Sequence, residues 1–135
     1  MGVIFDTSVL MALERGSHAI EKLVAGRESK HFGISVVTVS ELLHGVHRAD
    51  SEKRRLTRGA FVEKIIQTFP IYSFELNAAR IYAKLWSNIA KKGMTIGAHD
   101  LMIASTAIAL GFSVMTADVR DYGKIKEVSV EKSAV

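Results

Sequence analysis

Four acidic residues stand at positions where a parallel α/β sheet would gather them. Asp6 directly follows a short apolar run, Asp118 follows another by two residues, Glu41 lies shortly after a third, and Asp100 begins a nearly apolar helix. In such sheets ligands bind at the carboxyl ends of the strands, so we expect these side chains to converge there. Clustered carboxylates repel one another unless a cation neutralises them. A hard divalent cation, Mg²⁺ or Mn²⁺, is the natural partner of such oxygen atoms.

Taken singly, each acid has an ordinary structural explanation. Asp6 and Asp100 could cap helices by accepting backbone N–H bonds, an interaction worth about 1 kcal/mol. Glu41 could be a first-turn acid favoured by the helix dipole, and Asp118 could be a turn residue. These explanations weaken when the four acids are considered together, because the expected fold brings them to one edge.

A carboxylate-bound Mg²⁺ or Mn²⁺ suits phosphoryl chemistry, since it polarises a phosphate and helps to deprotonate an attacking water. The chain has neither a Walker lysine motif nor a glycine-rich phosphate loop, which argues against hydrolysis of nucleoside triphosphates. Its net charge of +4 and pI near 9.5 are compatible with a polyanionic partner. Residues 48–58 hold five cations and two anions, although a solvated helix face would look the same. The expected substrate is therefore a nucleic-acid backbone.

Other chemistries and compartments find little support. The chain has no cysteine, which excludes thiol chemistry and fits a reducing cytosol. His44 and His47 lie three residues apart on a predicted helix, but no third ligand appears at the usual spacing, so we interpret them as surface or interface residues. The N-terminus lacks the features of a signal peptide, and no apolar run approaches the ~20 residues that span a bilayer. We expect a cytoplasmic protein with no membrane association.

The elements that must position the acids follow from short apolar runs alternating with stretches of helical period, a pattern typical of a parallel sheet covered by helices on both faces. We predict one domain over residues 1–135, folded as a three-layer α/β/α sandwich with a short central parallel sheet. Strands are predicted at 3–5, 34–37, 71–72, 114–116 and 128–130. Helices are predicted at about 9–13, from a cap at Ser17 to 24, at 38–46, 51–68 and 74–91, and at 99–110, which is apolar nearly all round.

Four motifs together resemble the PIN domain, and within it the VapC-type ribonuclease toxins of prokaryotic toxin–antitoxin pairs. They are Val-Ile-Phe-Asp6-Thr-Ser-Val-Leu, Ile-Ser-Val-Val-Thr-Val-Ser-Glu41-Leu-Leu-His-Gly, Gly-Met-Thr-Ile-Gly-Ala-His-Asp100-Leu-Met-Ile-Ala-Ser-Thr-Ala and Val-Met-Thr-Ala-Asp118-Val-Arg-Asp-Tyr. The resemblance extends over nearly the whole chain. Four acids in this order with these flanking residues are far more specific than one acid alone.

The resemblance implies a PIN-like fold and a Mg²⁺- or Mn²⁺-dependent endoribonuclease that cleaves RNA phosphodiester bonds. It assigns metal binding and catalysis to Asp6, Glu41, Asp100 and Asp118, and supporting hydroxyl positions to Thr7, Ser8 and Thr116. The last acid is often Asn in such toxins, so Asp118 adds a charge and would favour a second metal. Asp121 and Tyr122 match loop positions, which we interpret as packing.

The same resemblance implies partners. VapC-like proteins are typically homodimers, and a cognate antitoxin lays a segment into an apolar groove, often with a basic side chain that reaches the acidic pocket. We expect the groove between the early helices and the 51–68 helix, because these segments carry many apolar residues. They are Val9, Leu10, Met11, Leu13, Ile20, Leu23, Val24, Phe61, Val62, Ile65, Ile66 and Phe69.

Three other functions compete with the toxin. A signalling receiver domain would need an acid pair at the first strand, a phosphoacceptor after the third and a lysine after the fifth, and the chain has none of these. A non-catalytic PIN interaction module would be signalled by lost acids, and none is lost. A PIN nuclease with a housekeeping role in RNA processing stays open, although a chain with no added RNA-binding domain favours the toxin.

Overall fold

The structure, a computed structural model of the chain, describes residues 2–16, 20–27 and 29–134. Five short parallel strands form one sheet in the order β3-β2-β1-β4-β5, and six α-helices connect them. The predicted cap at Ser17 lies outside the described residues. In chain order the elements are β1 (Gly2–Phe5), α1 (Thr7–Arg15), α2 (Ile20–Val24), β2 (His31–Ser35), α3 (Val36–His47), α4 (Glu52–Thr68), β3 (Ile71–Tyr72), α5 (Leu76–Lys91), α6 (Ala98–Leu110), β4 (Ser113–Thr116) and β5 (Val130–Lys132), with a short 3₁₀ helix (Tyr122–Lys124) before β5.

The central strand β1 shows why the fold has three layers. Successive side chains of a strand point to opposite faces of the sheet. Val3 and Phe5 accordingly pack into a core with α1, α2 and α4, whereas Ile4 packs into a second core with α5 and α6. Because both faces are covered, β1 is apolar throughout, as expected of a buried parallel strand. The predicted three-layer sandwich is confirmed.

The boundary between β2 and α3 differs from the prediction. Val36 and Val37, assigned to the second strand by their β-branched side chains, are the first helical residues of α3. The Ser35 hydroxyl accepts a hydrogen bond from the Val37 backbone N–H at 3.0 Å, so this serine, the last residue of β2, caps the helix that begins at Val36. The fifth strand is likewise shifted by two residues, to Val130–Lys132.

The sheet order defines where a ligand can enter. The chain leaves β1 toward β2 on one side, while β4 pairs with β1 on the other, so the strand order reverses between β1 and β4. In open parallel sheets the binding crevice lies at the carboxyl ends of the strands beside such a reversal. Within the described part of the chain, no helix is long and apolar enough to cross a membrane.

Candidate active site

A cavity of about 800 Å³ opens at the carboxyl ends of β1 and β4. Every residue that the sequence analysis assigned to the site lines it. These residues are Asp6, Thr7, Ser8, Glu41, Asp100, Thr116 and Asp118. The elements of the fold therefore place the four acids in one cavity, although the acids differ in how far they project toward its centre.

Asp6 is the most buried of the four acids, with 5% of its surface exposed. Its Oδ1 accepts hydrogen bonds from the Ser8 hydroxyl at 2.5 Å and from the Ser8 and Val9 backbone N–H groups, so it does cap α1. Its Oδ2 accepts from the Thr116 hydroxyl at 2.9 Å. Burial raises the pKa of Asp6 above its ordinary value, and these hydrogen bonds offset only part of the rise.

Glu41 reaches the cavity from the second turn of α3. Its Oε1 accepts a hydrogen bond from the Thr7 hydroxyl at 2.5 Å, and that hydroxyl lies 3.2 Å from the hydroxyl of Thr38. On its other side, Oε2 lies 3.3 Å from Nδ1 of His99. The carboxylate is thus held between the start of α1 and the start of α6.

Asp100 lies in the first turn of α6 and faces the other two acids. Its pKa is raised above the ordinary value by burial first, and then by the negative charges of Asp6 and Glu41. The Tyr122 hydroxyl donates to Oδ1 of Asp100 at 3.3 Å. Burial, together with the nearby carboxylates, raises the pKa of Tyr122 far above its usual range, so the phenol stays protonated and remains a donor.

Asp118 is different from the other three acids because it lies at the exposed rim of the cavity. Both of its oxygens accept hydrogen bonds from Arg120, from Nε at 2.9 and 3.0 Å and from Nη2 at 2.5 Å. The side chain and backbone N–H of Arg120 hold the pKa of Asp118 down at about 2. The structure therefore brings Asp6, Glu41 and Asp100 together and leaves Asp118 paired with an arginine.

A divalent cation fits this cavity by its chemistry. Among the described residues no three side chains are placed to hold a metal ion in their present conformations, because the carboxylate oxygens turn toward the hydroxyl, amide and guanidinium donors named above. The donor set is nevertheless all oxygen, which Mg²⁺ and Mn²⁺ prefer. Five carboxylates and two cationic side chains line the cavity, leaving a net charge of −3 that a cation would offset.

Three residues that contact the acids, Arg120, Tyr122 and His99, were given no catalytic or metal-binding role by the sequence analysis. Tyr122 was interpreted as loop packing; it is indeed buried, but its hydroxyl also binds Asp100. His99 directly precedes Asp100 and contacts Glu41, a role that its position in the sequence does not reveal. His44 and His47, interpreted as surface or interface residues, are exposed on α3.

A second cavity of about 700 Å³ adjoins the first and shares Thr7, Met11 and Glu41 with it. It runs between α1, α3 and α4, so a groove does lie beside the 52–68 helix. The apolar residues expected to line it are mostly core, however, because Leu13 and Leu23 are buried against the sheet along with Val9, Leu10, Val62, Ile65 and Phe69. The prediction that these side chains form an exposed apolar surface is wrong.

Comparison with known proteins identifies the class to which this fold and site belong. The PIN domain family matches residues 3–128, and the chain belongs to that family. Its relatives include Ribonuclease VapC1 of Rickettsia felis, which is 38% identical over 133 residues, covering 96% of this chain and 95% of that protein. The chain is thus a PIN-domain nuclease similar to the VapC ribonucleases.

Solved structures agree with this assignment. The DNA-bound VapBC complex of Salmonella typhimurium contains a chain with a TM-score of 0.86 and 25% identity, covering 98% of both chains. VapBC-5 of Mycobacterium tuberculosis, a member of the VapBC family of toxin–antitoxin systems, gives a TM-score of 0.77 at 28% identity, covering 99% of this chain and 98% of that one. Ribonucleases of this family depend on divalent metal ions.

Proposed function

We propose that this protein is a Mg²⁺- or Mn²⁺-dependent endoribonuclease that hydrolyses RNA phosphodiester bonds, and that it is the toxin of a toxin–antitoxin pair. The observation that carries the proposal is the convergence of Asp6, Glu41 and Asp100 in one cavity, where burial and then the charges of Asp6 and Glu41 raise the pKa of Asp100. A non-catalytic interaction module would have no need of such mutual repulsion. The VapC ribonucleases among its relatives support the same activity.

The three converging acids, with Asp118 at the rim, are the residues that would hold the cation. A divalent cation bound there supplies Lewis-acid chemistry, neutralising phosphate charge and making water a better nucleophile at neutral pH. The remaining polar residues keep the carboxylates in place. Ser8 and Thr116 fix Asp6 from two directions, as the hydrogen bonds to its two oxygens show.

Glu41 and Asp100 are positioned by side chains from three elements of the fold. Thr7 and His99 contact opposite oxygens of Glu41, and Tyr122 donates to Asp100 from a fully protonated phenol. Since each donor belongs to a different element, the geometry of the acids depends on the packing of α1, α6 and the segment after β4. Preorganised polar groups of this kind avoid reorganisation during the reaction.

RNA cleavage by the purified protein tests the proposal. A labelled single-stranded RNA should be cut in Mg²⁺ or Mn²⁺ and left intact in EDTA, and Asp6→Asn or Asp100→Asn should abolish cutting. Asn caps helices as well as Asp does, so Asp6→Asn should still fold. The matched control is Asp50→Asn, which removes an exposed acid that pairs with Arg54 far from the cavity. Full activity in EDTA would refute the metal mechanism.

Asp118→Asn should have a milder effect than substitution of the other acids. Asp118 is exposed and already neutralised by Arg120, so it contributes less negative charge to the centre of the cavity. We expect reduced metal affinity with kcat largely retained. If Asp118→Asn lost RNA cleavage as completely as Asp100→Asn, the ion pair between Asp118 and Arg120 would have to open when metal binds.

We further propose that an antitoxin segment occupies the 700 Å³ groove, since this groove shares Glu41 with the acid cavity. Met11 tests this better than the buried leucines do, because it lines both cavities and is 42% exposed. Met11→Glu should weaken copurification with the antitoxin encoded beside this gene. Leu56→Glu, at a position 66% exposed and outside the groove lining, is the control. Equal copurification of both variants would place the antitoxin elsewhere.

The proposal also covers the domain organisation, the cellular location and the oligomeric state of the protein. Residues 1–135 form one PIN domain, which the family match over residues 3–128 supports. The protein acts in the cytoplasm, since the absence of cysteine fits a reducing compartment. It forms a homodimer, and exposed apolar side chains such as Leu76 and Trp86 are available for burial. Light scattering at micromolar concentration tests the dimer, and a strictly monomeric mass would contradict it.

A further inference from the structure

A third groove, of about 320 Å³, lies between the C-terminal end of α5 and the segment that follows the 3₁₀ helix. Its charged lining consists of four lysines and one glutamate. These are Lys91, Lys92, Lys124, Lys126 and Glu127. At the base of the groove lie three buried side chains of the core, Leu85, Ile89 and Ile125. The groove is therefore a surface depression with a net charge of +3.

The lysines come from two separate segments of the chain. Lys91 and Lys92 at the end of α5 would favourably offset the dipole of that helix. That explanation does not extend to Lys124 and Lys126, which approach the same groove from the loop after β4. Of these four lysines, only Lys124 pairs with a carboxylate among the described residues, Asp121 at 3.2 Å. Lys91, Lys92 and Lys126 therefore share the groove with a single carboxylate, Glu127, which leaves its lining net positive.

The lysine groove and the acid cavity share one lining residue. Lys124 lines both of them. Tyr122, two residues earlier, donates to Asp100. From Tyr122 to Lys126 the backbone spans at most about 15 Å even if fully extended. A strand whose phosphate lies among the carboxylates would reach the lysines within a few nucleotides.

Charge explains why such a groove is needed. The acid cavity carries a net charge of −3, which repels a polyanion until a cation binds and still disfavours the phosphates on either side of the one being cut. We propose that the lysine groove binds the backbone phosphates of the RNA strand next to the scissile bond. This inference rests on the proposed ribonuclease function. Lysine is a point charge, so the contacts position the strand without reading its sequence.

The test compares two triple variants with the same net charge. Lys91→Gln, Lys92→Gln and Lys126→Gln remove charge from the groove; Lys124 is kept because it also lines the acid cavity. The control carries Lys22→Gln, Lys64→Gln and Lys84→Gln, three exposed lysines outside the lining of any cavity described above. Each triple lowers the formal charge from +4 to +1. Steady-state cleavage of a 12-nucleotide single-stranded RNA gives KM and kcat for each.

Binding of the same RNA is then measured by fluorescence anisotropy against NaCl concentration, with Asp100→Asn added to prevent cutting. Each phosphate contact on a single strand contributes about 0.7 to the slope of log K against log salt. Losing three contacts should therefore reduce the slope by about 2. The groove triple should raise KM at least about tenfold with kcat changed less than twofold, while the control triple keeps the KM of the unmodified protein.

Each alternative result has its own signature. Equal KM and equal salt slopes for the two triples would overturn the proposed RNA path while leaving the ribonuclease function standing. A drop in kcat at unchanged KM would also overturn it, since the lysines would then act on the chemistry or the fold; melting temperatures distinguish those two. A groove triple that keeps its RNA affinity but loses the antitoxin would assign the surface to a protein partner. An unmodified protein that cuts no RNA in Mg²⁺ or Mn²⁺ would refute the proposed function itself.

Discussion

Thr116→Val isolates the hydrogen bond that most directly holds the buried acid of the site. Thr116 is 1% exposed, and its hydroxyl donates to Oδ2 of Asp6 at 2.9 Å. Valine has nearly the same shape, so the change removes the hydroxyl without opening a cavity. It also leaves the Asp118 backbone N–H without the hydroxyl oxygen that now accepts from it at 3.1 Å.

The expected loss of stability follows from the negative charge of the Asp6 carboxylate, which accepts this hydrogen bond. A hydrogen bond to a charged group contributes about 1.5–3 kcal/mol to stability. The additional buried methyl group of valine stabilises the folded protein by about 0.8 kcal/mol. We therefore expect Thr116→Val to lower the free energy of unfolding by about 1.5 kcal/mol at neutral pH. The loss should shrink in acid, because the hydrogen bond lowers the pKa of Asp6 and stabilises its charged form above that pKa.

Urea unfolding in EDTA, followed by circular dichroism, measures this effect. With a slope of about 2 kcal/mol per molar urea, the midpoint should fall by about 0.7 M at an unchanged slope. The control is Thr106→Val. Thr106 is 2% exposed, and its hydroxyl donates to the Met102 carbonyl of its own helix at 3.0 Å, so no charge is involved. Its midpoint should hardly move. Equal shifts for the two variants would refute the reasoning that the Asp6 charge makes this bond strong.

Three further predictions concern charge, metal and packing. Without metal, the free energy of unfolding should increase as pH falls through the raised pKa values of folded Asp6 and Asp100 toward the ordinary value of 3.8, because the folded state binds these protons more tightly than the unfolded chain. Thermal melts in EDTA should show this slope, and Asp100→Asn should reduce it. Mg²⁺ at 100 times its Kd should stabilise the protein by about 2.7 kcal/mol, and the same variant should lose most of this response in calorimetry. Gly33→Ala should destabilise the protein by about 1–3 kcal/mol, since a Cβ there would lie 2.4 Å from the Tyr72 ring and 3.0 Å from the Pro70 carbonyl oxygen. The control is Gly123→Ala, where a Cβ would have nothing within 4 Å. This variant should be nearly neutral in the same melts.

Much of the fold could be predicted from local patterns. The period of the apolar residues located the strands and α-helices that the structure describes to within a few residues, because burial on both faces of a parallel sheet produces short apolar runs such as Val3–Phe5, whereas the 3₁₀ helix Tyr122–Lys124 was not predicted. Boundaries were less secure where two tendencies compete. Val36 and Val37 favour a strand by their branched side chains, but the cap supplied by Ser35 makes them the first two residues of a helix.

The positions of the acids along the chain were enough to predict which of them meet, because the topology brings the carboxyl ends of β1 and β4 to one edge and places Glu41 and Asp100 on helices that border it. The different environments of the four acids became visible in the folded protein alone. Asp6 is buried under hydroxyl donors, whereas Asp118 turns outward to Arg120. Burial and long-range contacts set these environments, and neither is encoded by spacing along the chain. The same is true of Leu13 and Leu23, whose place in the core depends on which side of α1 and α2 faces the sheet.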